Sequence, residues 1–151
     1  MRRSEKEITD QSTIEAIIHA SLVCRLALSD GNQPYIVPLC FGYRNQTLYF
    51  HSAREGKKID LLKKNNRTCF EFDVNSEIIE ADKPCKWGMK YQSVIGFGKA
   101  IFVENVEEKQ KGLNIIMNHY SNRTWPFAEK AIEKIAVIKI EIEKMTGKYS
   151  S

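Results

Sequence analysis

Residues 47–65 read TLYFHSAREGKKIDLLKKN, and their pattern changes twice within nineteen positions. Leu48, Tyr49 and Phe50 are apolar and β-favouring, then give way to His51 and Ser52, so a buried strand is predicted that ends on a polar pair. Gly56 opens an amphipathic helix, with Ile59, Leu61 and Leu62 on one side and lysines on the other. The first turn of a helix holds N–H groups with no acceptor and the positive end of the helix dipole. Lys57 and Lys58 add two ammonium groups there and Ser52 a hydroxyl, which together make an anion site, most simply for a phosphate monoester. From Arg54 to Arg67 six cations stand against Glu55 and Asp60, a surplus equal to the +4 of the whole chain. Lys63 and Lys64 belong to the solvated helix face.

Around this stretch, 151 residues and 17.4 kDa predict one domain over residues 1–151 with a core that needs no covalent staples. Cys24, Cys40, Cys69 and Cys85 form no CxxC pair, and three of them sit in apolar strand-like runs, as expected of reduced core cysteines in a cytoplasmic protein. Met1, Arg2 and Arg3 precede the polar SEKEITD rather than an apolar run, so no secretory signal and no membrane span are expected. A pI of about 8.8, with its basic charge in one stretch, argues against a nucleic-acid surface.

Ser12 and Glu15 stand in capping-box register ahead of Ile14, Ile17 and Ile18, predicting a helix over residues 12–20. Strands follow at residues 23–28 and 35–43, joined by a turn at Asp30 and Gly31. Pro38 inside the second makes it an edge or a bulge, leaving backbone groups near Leu39, Cys40 and Phe41 open to a flat polar ligand. After the basic helix, residues 67–74 read as a strand. Residues 75–90 have no clean period and predict a long excursion anchored by Trp87. Residues 91–103 return to strand, with Gly96 and Gly98 where a strand bends or a ligand approaches. A helix is predicted over residues 107–120 and a loop over residues 123–127. The alternation from Ala136 to Glu143 is that of a half-buried strand. About six strands that do not alternate regularly with helices predict a mainly β (α+β) fold, a six-stranded antiparallel barrel with peripheral helices.

GxGxxG, GxxxxGK[ST], HExxH and GxSxG are all absent, so dinucleotide, triphosphate, zincin and hydrolase-elbow chemistry have no local support. His19 and His119 lie in helices a hundred residues apart and read as surface or packing residues. No cysteine has a recognisable base beside it in sequence.

The segments VPLCFGY (37–43), LYFHSAREGKKIDLL (48–62), CFEFD (69–73), CKWGMKYQSVIGFGKA (85–100) and IKIEIEKMTGK (138–148) resemble, in order, the pyridoxamine 5′-phosphate oxidase-like flavoproteins, and within them the branch related to nitroimidazole resistance proteins. That resemblance implies an FMN-binding split β-barrel that forms a homodimer with its flavins at the subunit interface. It implies that Pro38, Leu39, Cys40 and Phe41 lie against the isoalloxazine ring, that Tyr49, Phe50, His51 and Ser52 run beside ring and ribityl chain, that Lys57 and Lys58 hold the phosphate, and that Ser93 and Val94 approach from the next strand. The chain departs from the oxidases themselves in ending at TGKYSS, without their arginine- and histidine-rich C-terminal segment, so an activity other than theirs is expected.

The implied function is a flavin-dependent oxidoreductase passing electrons from NAD(P)H to a small planar acceptor such as a nitroaromatic, with His51 the catalytic candidate as proton or hydrogen-bond donor. The alternative is a non-catalytic protein of the same fold that stores or senses flavin or haem. Trp87, Trp125 and Phe127, in irregular segments, are expected to supply the apolar dimer surface.

Overall fold

Two strands of sixteen residues each, β7 (Gly88–Val103) and β8 (Ile135–Ser150), pair antiparallel along their length and form the spine of the molecule. The computed structural model describes residues 3–150. Around the spine lie β1 (Glu7–Ile8), α1 (Gln11–Ala20), β2 (Cys24–Ser29), β3 (Pro34–Leu39), β4 (Gly42–Arg44), β5 (Thr47–Ala53), α2 (Lys57–Lys64), β6 (Arg67–Ile79), α3 (Val106–Ser121) and α4 (Glu129–Glu133). The sheet runs β3-β2-β6-β7-β8-β5-β4, with β1 on the far half of β8; every pairing is antiparallel and the path does not close. This is a mainly β split barrel with peripheral helices.

The spine bends where its register shifts, between Phe97 and Gly98. A side chain at Gly98 would run into the Glu141 carbonyl, and one at Gly96 would fall inside the Phe70 ring. These glycines let strands and core close up; they do not open a path for a ligand. The bend gives the sheet two halves, and Phe41, Phe50, Phe70, Phe72, Val94 and Ile140 fill the space between them, all at most 1% exposed.

Several expectations change. Among the described residues eight strands replace six, the added ones being the two-residue β1 and the three-residue β4. Residues 35–43 are not one strand. Pro38 sits in β3 opposite Arg25, at a sheet edge as proline requires, and the chain leaves the ladder at Cys40 and Phe41 before β4 begins at the opposite edge. The expected excursion over residues 75–90 shrinks to residues 80–87: a register shift between Val74 and Glu77, with Asn75 at φ 58°, lets β6 run on to Ile79, β7 begins at Gly88, and the bulge broke the strand period in the sequence. The N-cap of α1 is Asp10, whose carboxylate accepts from the Thr13 amide at 2.8 Å and from the Ser12 and Thr13 hydroxyls at 2.6 Å each, not the Ser12 capping box. Of the cysteines only Cys24 is buried; Cys40 and Cys85 are exposed.

Candidate functional site

Alternation along β5 divides the strand end: Leu48 and Phe50 point into the core, while Tyr49 and His51 face the other way. Tyr49 lies under α3, where a Cβ at Gly112 would stand 3.1 Å from its ring. Gly56 turns the chain from β5 into α2 at φ 126°, a conformation glycine adopts without strain. The helix has no side-chain cap, so after the Asp60 amide bonds the Gly56 carbonyl at 3.0 Å, the amides of its first turn remain free to meet an anion.

The two lysines of that turn diverge. The Lys57 ammonium lies 4.7 Å from the centre of the Tyr35 ring on β3. The Lys58 charge is felt at His51, and burial holds the Lys58 pKa below the ordinary lysine value. His51 itself is exposed at the strand end; the partial burial of its ring, and then the Lys58 charge, keep the imidazole below its ordinary range, which favours the neutral form, a hydrogen-bond donor or acceptor. An anion placed here would gain from both groups. Arg54, in the same basic stretch, is committed elsewhere, donating to the Glu133 carbonyl at 2.9 Å.

The remaining residues expected at a flavin are brought together only in part. Pro38 and Cys40 are exposed and Leu39 half-buried at the β3 edge, open to a planar ligand. Phe41, Phe50 and Val94 are sealed in the core, so none can present its side chain to a ring. Ser93, half-buried, pairs with Asp73 and Lys148 on the outward face of β7. Ser52 is half-buried at the strand end.

Sequence reasoning missed a second cluster. His19 and His119 come face to face, ring centres 6.4 Å apart, in a cleft of about 390 Å³ between α1, α3 and the β4–β5 turn, also lined by Glu15, Tyr43 and Arg44. The Tyr43 hydroxyl donates to Glu15 at 2.9 Å, and burial, then that carboxylate, push the phenol up to about 12. Nε2 of His119 lies 2.7 Å from the Ser21 carbonyl, and the ring packs 4.3 Å from that of Phe41. Nothing in the spacing of two helical histidines announced their meeting, which depends on how α1 and α3 pack.

The sequence profile of the pyridoxamine 5′-phosphate oxidase family matches residues 10–149, and the chain belongs to that family. Among solved structures it is similar to a candidate 5-nitroimidazole antibiotic resistance protein from Bacteroides thetaiotaomicron, at 37% identity and a TM-score of 0.86 over 95% of this chain and 86% of that one. It shares its fold with a flavocytochrome of Azotobacter vinelandii, at 20% identity and a TM-score of 0.86 over 100% and 72% of the two chains. An FAD- and haem-binding protein of Mycobacterium smegmatis has the same fold at 14% identity, with a TM-score of 0.87 over 97% and 74%. No curated protein matches the chain. The chain therefore shares the split-barrel fold of these proteins, and among the described residues no helix is long and apolar enough to cross a membrane.

Proposed function

We propose that the protein is an FMN-dependent oxidoreductase of the nitroimidazole-resistance type, with its flavin held between two copies of the chain. The observation that carries this reading is the uncapped first turn of α2 beside Lys58 and His51. It supplies amide donors and a cation at the start of one helix, with an imidazole within reach of that cation's charge, a set that suits the terminal phosphate of FMN. Bound flavin would accept a hydride from NAD(P)H and return electrons to a small planar acceptor, chemistry that belongs to the cofactor. Residues 38–40, open at the β3 edge, would flank the ring, and neutral His51 would donate a hydrogen bond to the acceptor as it is reduced. The 37% identity to the Bacteroides protein, over nearly the whole chain, favours a nitroaromatic acceptor.

The test is optical. Purified protein should show a flavin spectrum, bleach anaerobically with NADH or NADPH and recolour with a nitroimidazole. His51→Ala should keep FMN and its reduction by the donor, yet slow reoxidation by the nitro compound about tenfold or more. A yellow protein inert to both donors would instead be a flavin carrier.

The second reading, haem or flavin storage, draws on the facing His19 and His119 and on haem-containing relatives of the same fold. It is weakened by the contact of His119 Nε2 with Ser21. A Soret band in the protein as purified would favour it.

A further inference from the structure

We propose that Tyr120 is a positioning residue that, through the Phe41 backbone, sets the height of Cys40 against the flavin ring; this rests on the flavin reading above. Its hydroxyl donates to the Leu22 carbonyl at 2.9 Å and accepts the Phe41 amide at 3.0 Å. One phenol in the last turn of α3 thus ties the α1–β2 junction to the break between β3 and β4. That break is the one place where the ring-flanking segment has no ladder to fix it, since β3 ends at Leu39 and β4 starts at Gly42. The tie is two-sided. While Tyr120 holds the Phe41 backbone, the His119 ring lies 4.3 Å from the Phe41 ring and 4.7 Å from that of Tyr120. Phe41 in turn packs 4.8 Å from Phe72, deep in the core.

Two consequences follow from the geometry. The Phe41 amide is already bonded within the chain, which leaves Pro38, Leu39 and Cys40 to meet the ring. Pro38 and Leu39 are held by their pairing with Arg25 and Cys24, but the placement of Cys40 beside them depends on a hydroxyl, and a ring stacked against a residue free to move by an ångström loses affinity and electronic definition together.

Tyr120→Phe removes the hydroxyl and keeps the ring on His119. The expected result is FMN, riboflavin and lumiflavin all weakened by a similar factor, about tenfold, with a shifted visible band for the flavin still bound. Loss of the same factor from lumiflavin, which lacks ribityl chain and phosphate, locates the effect at the ring. A purely structural tyrosine would lower the melting temperature and leave the bound spectrum unchanged, which would overturn the proposal. If the variant does not fold, NMR of the wild-type apoprotein decides: lumiflavin should move the Cys40 and Phe41 amide signals and the Tyr120 ring signals, and saturation without such movement overturns it. Wild-type protein that takes up no flavin of any kind defeats the flavin reading itself, and this inference with it.

Discussion

Lys57 and Lys58 are adjacent in sequence, yet a helix turns by about 100° per residue, and that turn sends one to Tyr35 and leaves the other beside His51. The sequence makes them a matched pair of phosphate ligands; the fold makes them unequal. Lys58→Ala should weaken FMN by one to two orders of magnitude, from one charge-assisted contact of about 1.5–3 kcal/mol, and should leave riboflavin nearly unchanged. Lys57→Ala should cost FMN much less, because its ammonium is spent on an aromatic ring. Isothermal titration of both ligands against both variants checks this, and an equal loss for the two lysines would return Lys57 to the site. The start of α2 at Gly56 and Lys57, on which the proposed anion site rests, was legible because glycine, lysine and a helix start are local signals. Which residues of an alternating strand face a ligand was not, as Phe41, Phe50 and Val94 show by lying in the core.

Helix α3 is seated by glycine. A Cβ at Gly42 of β4 would stand 2.6 Å from the backbone of Ile115 and Ile116, and backbone cannot swing aside as a flexible side chain can. The close approach brings α3 down over β4 and β5, and with it His119 and Tyr120 onto Phe41. Gly42→Ala should therefore destabilise the fold by about 1–3 kcal/mol, the cost of overpacking, and should lift the end of α3 away from the β3–β4 break. Urea denaturation measures the first effect. The second appears as weaker flavin binding at urea concentrations where the variant is still folded. An alanine variant as stable as the parent would mean that α3 sits further out than the contact distance implies. The sequence showed α3 plainly, from the spacing of Leu113, Ile116 and Met117, because helical period survives in a half-buried helix. It did not show the seat, since a glycine in a three-residue strand looks like any turn glycine.

At the scale of the molecule, the outward face of β7 is the part that one chain leaves unfinished. Ile95, Phe97 and Ile101 are 44%, 50% and 36% exposed, on alternate residues of the central spine strand, with Ile36 of β3 at 62% on the sheet edge beyond β2. Trp125 and Phe127, expected from the sequence at a dimer surface, are instead used within the chain. The Trp125 indole donates to Ser121 at 3.0 Å with Arg123 stacked on it, and Phe127 packs against the smaller core cluster around Ile132; of the three only Trp87 is exposed. An antiparallel barrel was legible from strands that do not alternate with helices, but an outward apolar row reads in sequence like a buried one, because both obey the same alternation. A row of this kind on a central strand suits the proposed dimer contact: a second copy of the chain would meet it with the same row and with the neighbouring Glu71 and Lys144, which pair in register with Ile95 and Phe97. Phe97→Glu places a charge at the centre of that surface, where a partner would have to bury it unpaired. Wild-type protein should sediment as a dimer at micromolar concentration and the variant as a monomer with its far-UV circular dichroism intact. Because the flavin is proposed to lie between the two copies, the monomer should also lose FMN in gel filtration. A monomeric variant that keeps its flavin would place the whole site within one chain, and a dimeric one would move the interface off β7.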